Sequence, residues 1–259
     1  MLSISEIVQY YPENLRPFKR FILREYLQYK ILEIVFEGPN AQKLCFLGGT
    51  CLRIVHQNQR FSEDLDFDNF KLNLSEFDEI SDNIKNKLEM IGYIVETKQI
   101  AKGAYHCYIR FPKLLFEQGL SGYEEEKILI QLDTEAQHFD FQPEQPILNK
   151  FDVFTRINTT PLDILMAQKC FAIVNRKRNK GRDFFDLVFL MGKSIAPNLE
   201  YTNQKLQVNN YSDLKSIILE KCKYLDMNEM AKDVSPFLFN SNDVKKVKYF
   251  EDYFRAYKF

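Results

Sequence analysis

Tryptophan is absent from the 259 residues, and glycine and proline, nine of each, are scarce. That excludes a collagen-like or low-complexity chain and leaves an ordinary globular composition, 45% hydrophobic and 27% charged. An excess of one charge sign is missing too. With a formal net charge of −1, any contact with nucleic acid has to rest on a local patch. No apolar run approaches the ~18–20 residues that span a bilayer, so no membrane helix is expected. The opening MLSISEIVQYYPENL lacks the basic and apolar segments of a secretory leader. The five cysteines form no CxxC pair and the three histidines share no ligand spacing, which argues against a disulfide frame and a zinc site. Thiols of this kind point to the cytoplasm.

What is present is a change of texture along the chain. Residues 13–36 carry apolar side chains at helical spacing and read as one long amphipathic helix. KLCFLGG then reads as a strand running into a glycine turn, TCLRIVHQ as a brief helix, and EDLDFDNF as a second strand. SEFDEISDNIKNKLEMIG reads as a helix opened by a Ser75–Asp78 capping box and stopped at Gly92. YIVETKQIA and AYHCYIRFP read as a hairpin, and EKILIQLDTEA as a further strand. Beyond residue 150 the pattern turns helical, beginning with Thr160 as cap and Pro161 in the first turn. The expectation is an α+β protein. Residues 1–150 would form a mixed β-sheet domain flanked by helices, and residues 151–259 a helical domain.

Within this, Phe46–Phe70 stands out, with a Gly-Gly pair some fifteen positions before Asp-Leu-Asp. In a strand, Asp64 and Asp66 project to one side. Two adjacent carboxylates repel unless a cation lies between them, and Mg²⁺ suits an oxygen donor set of this kind. The alternative is a solvated acidic turn. Gly48 and Gly49 let backbone approach an anion closely, with Thr50 adding a hydroxyl, and amides at such a turn can face a phosphate. The alternative there is a tight turn with no ligand.

GGTCLR followed by RFSEDLDF resembles the first motif of the AbiEii/AbiGii nucleotidyltransferase toxin family, in the DNA polymerase β-like nucleotidyltransferase superfamily. The resemblance covers about residues 44–190. It implies a nucleotidyltransferase fold, an NTP substrate and one or two Mg²⁺ ions held by Asp64, Asp66 and a third carboxylate from a later strand. In KILIQLDTEA that is Asp133, with Glu135 on the same face as reserve. Arg53 and Arg60 stand where such sequences often carry basic residues, and are candidate phosphate contacts.

Lys169 interrupts the apolar stripe of its helix, and either reaches the domain edge or enters a cleft. By analogy with the family it would grip the triphosphate. Arg182, Asp183 and Asp186 would belong to the nucleotide site too, or the two aspartates would orient Lys169 or Arg182. NRKRNKGR, residues 175–182, holds five Lys or Arg and no acid, either a solvated loop or a contact for RNA phosphates. The resemblance also implies a toxin with a separately encoded antitoxin, acting on tRNA. A small-molecule or protein hydroxyl as acceptor, and a scaffold that binds without turnover, remain the rival readings.

Overall fold

The computed structural model describes residues 1–259. The chain divides into two units, Met1–Cys51 with Phe61–Thr159, and Leu52–Arg60 with Thr160–Phe259.

The first unit is built on alternation. In the strands β1 (Leu44–Leu47), β2 (Leu65–Asn69), β3 (Glu96–Lys102), β4 (Ala104–Phe111) and β5 (Ile128–Glu135), side chains of opposite parity take opposite faces. Leu65 and Phe67 of β2, Cys107, Ile109 and Phe111 of β4, and Ile128, Ile130 and Leu132 of β5 are buried on one face. The sheet order is β1-β2-β5-β4-β3, with β2 and β5 parallel and every other pair antiparallel. A second, two-stranded sheet of β6 (Ile147–Lys150) and β7 (Val153–Arg156) was not expected from the sequence. Its strands are only four residues long and offer little pattern to read.

Helices α1 (Ile4–Ile7), α2 (Lys19–Phe36), α3 (Gly48–Ile54), α4 (Leu74–Met90) and α5 (Leu114–Glu117) complete this half of the sequence. The long helix expected over 13–36 is shorter than its pattern. Pro17 stands between a 3-10 turn at Glu13–Leu15 and the start of α2, because proline disfavours helix in the residue before it. α2 buries Ile22, Leu23, Tyr26, Leu27, Ile31, Leu32 and Val35. Each such side chain contributes about 1.5–3 kcal/mol when fully buried. α4 is capped by Asn73, whose side chain accepts from Glu76 N while Glu76 caps in return. The capping box is therefore two residues earlier than the Ser75–Asp78 pair expected. Phe77, Ile80, Ile84 and Leu88 face the interior at helical spacing.

The second unit is helical: α6 (Leu162–Asn175), α7 (Gly181–Gly192), α8 (Leu199–Leu206), α9 (Tyr211–Cys222), α10 (Met227–Val234), α11 (Val244–Lys248) and α12 (Phe250–Ala256). Pro161 itself occupies the cap position of α6, one residue later than expected. α8 and α10 carried too short a pattern to be read. The terminal segment breaks at Tyr249 between α11 and α12. A Cβ on Gly181 would lie 1.8 Å from the Met230 carbonyl oxygen, so α7 meets α10 at a distance only glycine permits. Phe184 meets Phe250 edge-on at 4.9 Å between ring centroids, and Phe250 stacks on Phe254 at 5.1 Å.

All five cysteines are free and buried. Burial pushes the Cys107 thiol up to about 11 and Cys170 up to about 12, so neither is a ready nucleophile. His56, in the second unit, leaves Nε2 buried without a hydrogen-bond partner. Burial, helped by the Lys193 charge, lowers its pKa from 6.5 to about 4. The unfolded chain therefore takes up a proton near pH 6.5 that the folded chain refuses until near 4. Stability should hold above pH 6.5 and fall as pH drops from 6.5 towards 4. His56→Leu is expected to flatten that stretch of a urea-midpoint profile; an equally steep profile would assign the slope to other groups.

Candidate active site

The face of the first unit's sheet opposite its apolar core carries a transverse row of polar side chains. Parallel register sets Asp66 of β2 beside Asp133 of β5, and antiparallel register sets His106 of β4 on the other side of Asp133. Adjacent strands lie about 4.8 Å apart, so the three side chains are immediate neighbours on one face. Asp64, Asp66 and Asp133 are all half-buried, and Glu135 is exposed. Asp64 immediately precedes β2, two residues from Asp66.

Gly48 explains why a glycine follows β1. Its φ is +79°, and a Cβ there would come within 2.4 Å of Asp66 Oδ2. The residue must accept left-handed backbone and leave the carboxylate room, and only glycine does both without strain. Gly48 begins α3 directly, so the glycine pair forms the helix start and not a separate turn. Thr50 is fully buried, and its hydroxyl donates to the Asp64 carbonyl oxygen. The phosphate donor expected of Thr50 is thus engaged in fixing the backbone that presents Asp64. Gly48→Ala should displace the Asp66 carboxylate, and any reaction that depends on that carboxylate should slow about 10²-fold, the order of loss for an ångström-scale misplacement. A rate assay beside a circular-dichroism melt checks this, and a full rate with an intact fold would refute it.

Asp133 is held by Gln131, its neighbour on the same strand face, and by His106, which the sequence did not flag. His106 Nδ1 lies 2.7 Å from its Oδ1, and Gln131 Nε2 donates to both carboxylate oxygens at 2.9 Å. The signal for His106 was present in AYHCYIRF, where alternation puts it opposite Cys107 and Ile109. Its pairing with position 133 depends on strand register, which no local pattern supplies.

Could these residues hold a divalent ion? The donors at Asp64 and Asp66 are carboxylate oxygens, and Gly48 leaves open the space that a Cβ would fill beside Asp66. Mg²⁺ is commonly held by one or two carboxylates together with water and substrate phosphate, so this pair fits. The protein supplies no group of three or more acidic, His or Cys side chains gathered for a metal.

The remaining sequence candidates lie in the second unit. Asp186 is fully buried, and Arg60 grips it with two bonds, Nε to Oδ1 at 2.7 Å and Nη2 to Oδ2 at 2.6 Å. Asn58 Nδ2 donates to Oδ1 at 2.7 Å, and Lys169 Nζ is 2.8 Å from Oδ2. Lys169 also pairs with Asp183 at 3.0 Å, and Arg176 approaches the other Asp183 oxygen at 3.2 Å. Burial pushes the Asp186 carboxyl up, but Arg60 and Lys169 outweigh it and hold it below the usual carboxylate range. Burial likewise disfavours charge on Lys169, and Asp186 and Asp183 outweigh it, so the ammonium persists.

Asp183 and Asp186 therefore orient Lys169, one of the two roles the sequence left open. Arg60, expected to contact phosphate, is 1% exposed and committed to Asp186. Arg53 lies over the Phe239 ring and donates to the Asn58 carbonyl, while Arg182 lies over Phe237.

A mixed sheet whose parallel central pair aligns two aspartates beside a glycine-led helix has the frame of the nucleotidyltransferases. Two solved structures share the fold. JHP933 from Helicobacter pylori is 17% identical, with TM-score 0.54 and 91% of each chain covered. An H. pylori protein described as a candidate nucleotidyltransferase is 18% identical, with TM-score 0.55 over 91% of this chain and 94% of that one. Comparison with curated proteins gives no match. The family described as "Nucleotidyl transferase AbiEii toxin, Type IV TA system" matches residues 30–256, and the chain belongs to it. The protein is accordingly a nucleotidyltransferase of a toxin–antitoxin family, whose substrate is an NTP and whose biology includes an antitoxin. No helix is long and apolar enough to cross a membrane.

Proposed function

We propose that the protein transfers a nucleoside monophosphate from an NTP to a hydroxyl of tRNA in the cytoplasm, with Mg²⁺ held by Asp64 and Asp66. The observation that carries this reading is the register of Asp66 against Asp133 on parallel strands, with Gly48 tight against the Asp66 carboxylate. When bound, Mg²⁺ offsets charge on the phosphates and on the leaving pyrophosphate. The chain's own residues do the rest. Backbone amides at Gly48 and Gly49 face the phosphates. Asp133 accepts the proton of the acceptor hydroxyl as its oxygen bonds to the α-phosphorus and the bond to pyrophosphate breaks. His106 and Gln131 keep the Asp133 carboxylate turned into the row. Arg176, Lys177 and Arg178 are exposed on one segment and give RNA a cationic contact.

Incubation with each labelled NTP, Mg²⁺ and total cellular RNA tests the reading. Label on tRNA is the expected result. Label on protein or on a small molecule would replace the acceptor, and label nowhere, with authentic NTP and every divalent ion tried, would remove the transfer.

A further inference from the structure

Where β2 and β5 end, the first unit opens into a cavity of about 980 Å³, at the upper end of the range for small-molecule sites. Three phenylalanines line it. Phe139 and Phe141 are near-parallel, 26° between planes with centroids 6.5 Å apart, and Phe70 meets Phe141 edge-on at 5.6 Å. None of the three is buried in the core. The exposed Gln42 and Gln142 add side-chain amides, and the exposed Lys71 adds a cation. Two residues in these loops, Lys71 at φ +60° and His138 at φ +51°, hold left-handed backbone without being glycine. Such conformations persist only where surrounding structure imposes them, and they cluster at ligand sites.

The phenylalanines, the amides and the lysine point to one ligand chemistry. Phenylalanine faces stack any nucleobase, amides read base edges, and a lysine meets phosphate. A docked apolar helix would call for a continuous aliphatic lining, which amide, imidazole and carboxylate groups interrupt here. Position supports it as well. Asp68 lines the cavity and lies two residues beyond Asp66 on the same face of β2, roughly 7 Å along the strand. A nucleotide seated there is about one nucleotide's length from the aspartate row. We propose that this cavity binds the bases of a single-stranded RNA segment, stacked on Phe139 and Phe141, next to the hydroxyl that accepts the nucleotide. This rests on the transfer reading above and gives its acceptor strand a seat.

The test is fluorescence anisotropy on the full chain without NTP, using a short labelled single-stranded RNA and the same sugar–phosphate chain lacking bases. Phe139→Ala and Phe141→Ala should each weaken RNA binding about tenfold or more. They should leave the base-free strand unaffected and the salt dependence unchanged. Lys71→Ala should instead reduce the salt slope. Phe141→Tyr should restore the affinity, which separates a stacking role from a packing role, and thermal melts confirm that each variant folds. In turnover, the alanine variants should raise KM for RNA and spare kcat.

Absence of RNA binding by the wild-type chain overturns the proposal. So does equal loss with the base-free strand, or a tyrosine variant no better than alanine. Displacement of the RNA by an apolar peptide that itself binds more tightly would assign the cavity to a protein partner and overturn it too. Because binding is read without turnover, a wild-type chain that binds RNA yet transfers nothing would refute only the transfer reading. Transfer that proceeds with equal KM in the phenylalanine variants would refute only the cavity.

Discussion

Asp66→Asn should reduce nucleotidyl transfer by at least about 10³-fold, equivalent to about 4 kcal/mol of transition-state stabilisation, while the protein stays folded. The two side chains have nearly the same shape, so Gly48 keeps its close fit and the strand keeps its register with β5. What is lost is one negative charge in a row that, on the proposed reading, holds a divalent cation against a triphosphate. A hydrogen-bonding role alone would lose far less, because an amide oxygen still accepts. Single-turnover assays with labelled NTP, beside thermal melts, separate the two. Transfer at the wild-type rate would remove Asp66 from the chemistry and with it the proposed metal site.

The second large effect concerns stability. Asp186→Ala should destabilise the protein by about 3–5 kcal/mol, the cost of leaving a buried charge without its partner. Arg60 is 1% exposed and sends two bonds to Asp186, so its guanidinium cannot turn to water when the carboxylate is removed. Lys169 would lose one of its two carboxylates. That is a large share of the 5–15 kcal/mol typical of a folded domain. Asp186→Asn keeps the shape and removes the charge, and should fall on the same side with a smaller loss.

The pH dependence has a definite sign. Asp186 has its folded pKa depressed, so its contribution is complete above the unfolded value near 3.8 and is lost as pH falls below that. In urea titrations, the alanine variant should converge on the wild type in strong acid. An unchanged midpoint at neutral pH would show that the cluster is solvated and contributes little.

Much of this was legible in the sequence wherever the information is local. The alternation of KILIQLDTEA placed Asp133 and Gln131 on one face; the strand expected to carry both Asp64 and Asp66 begins one residue after Asp64. Gly92 was read as the stop of α4, and its φ of +99° is the left-handed conformation such an ending uses. What escaped was set by partners far away in the chain. The pairing of β2 with β5, and so of Asp66 with Asp133, depends on register between segments more than sixty residues apart, and His106 reaches Asp133 through a separate register 27 residues away. Arg60 and Asp186 are 126 residues apart, and nothing near either residue announces the other. Lys169 looked like an intruder in an apolar stripe because its two carboxylates lie a helix away. Thr50 was read correctly as a hydroxyl at a critical place, but its acceptor turned out to be a backbone carbonyl.

The place of β5 in the sheet has a consequence for when the protein can act. This strand is the last of the five to be synthesised, yet it lies at the centre, joining the β1–β2 pair to the β3–β4 pair. A nascent chain still short of Ile128 lacks Asp133 and the strand that joins the β1–β2 pair to the β3–β4 pair. The row of acids comes into being only when the final strand slots between them. The strand that completes the row is thus made after the four it joins.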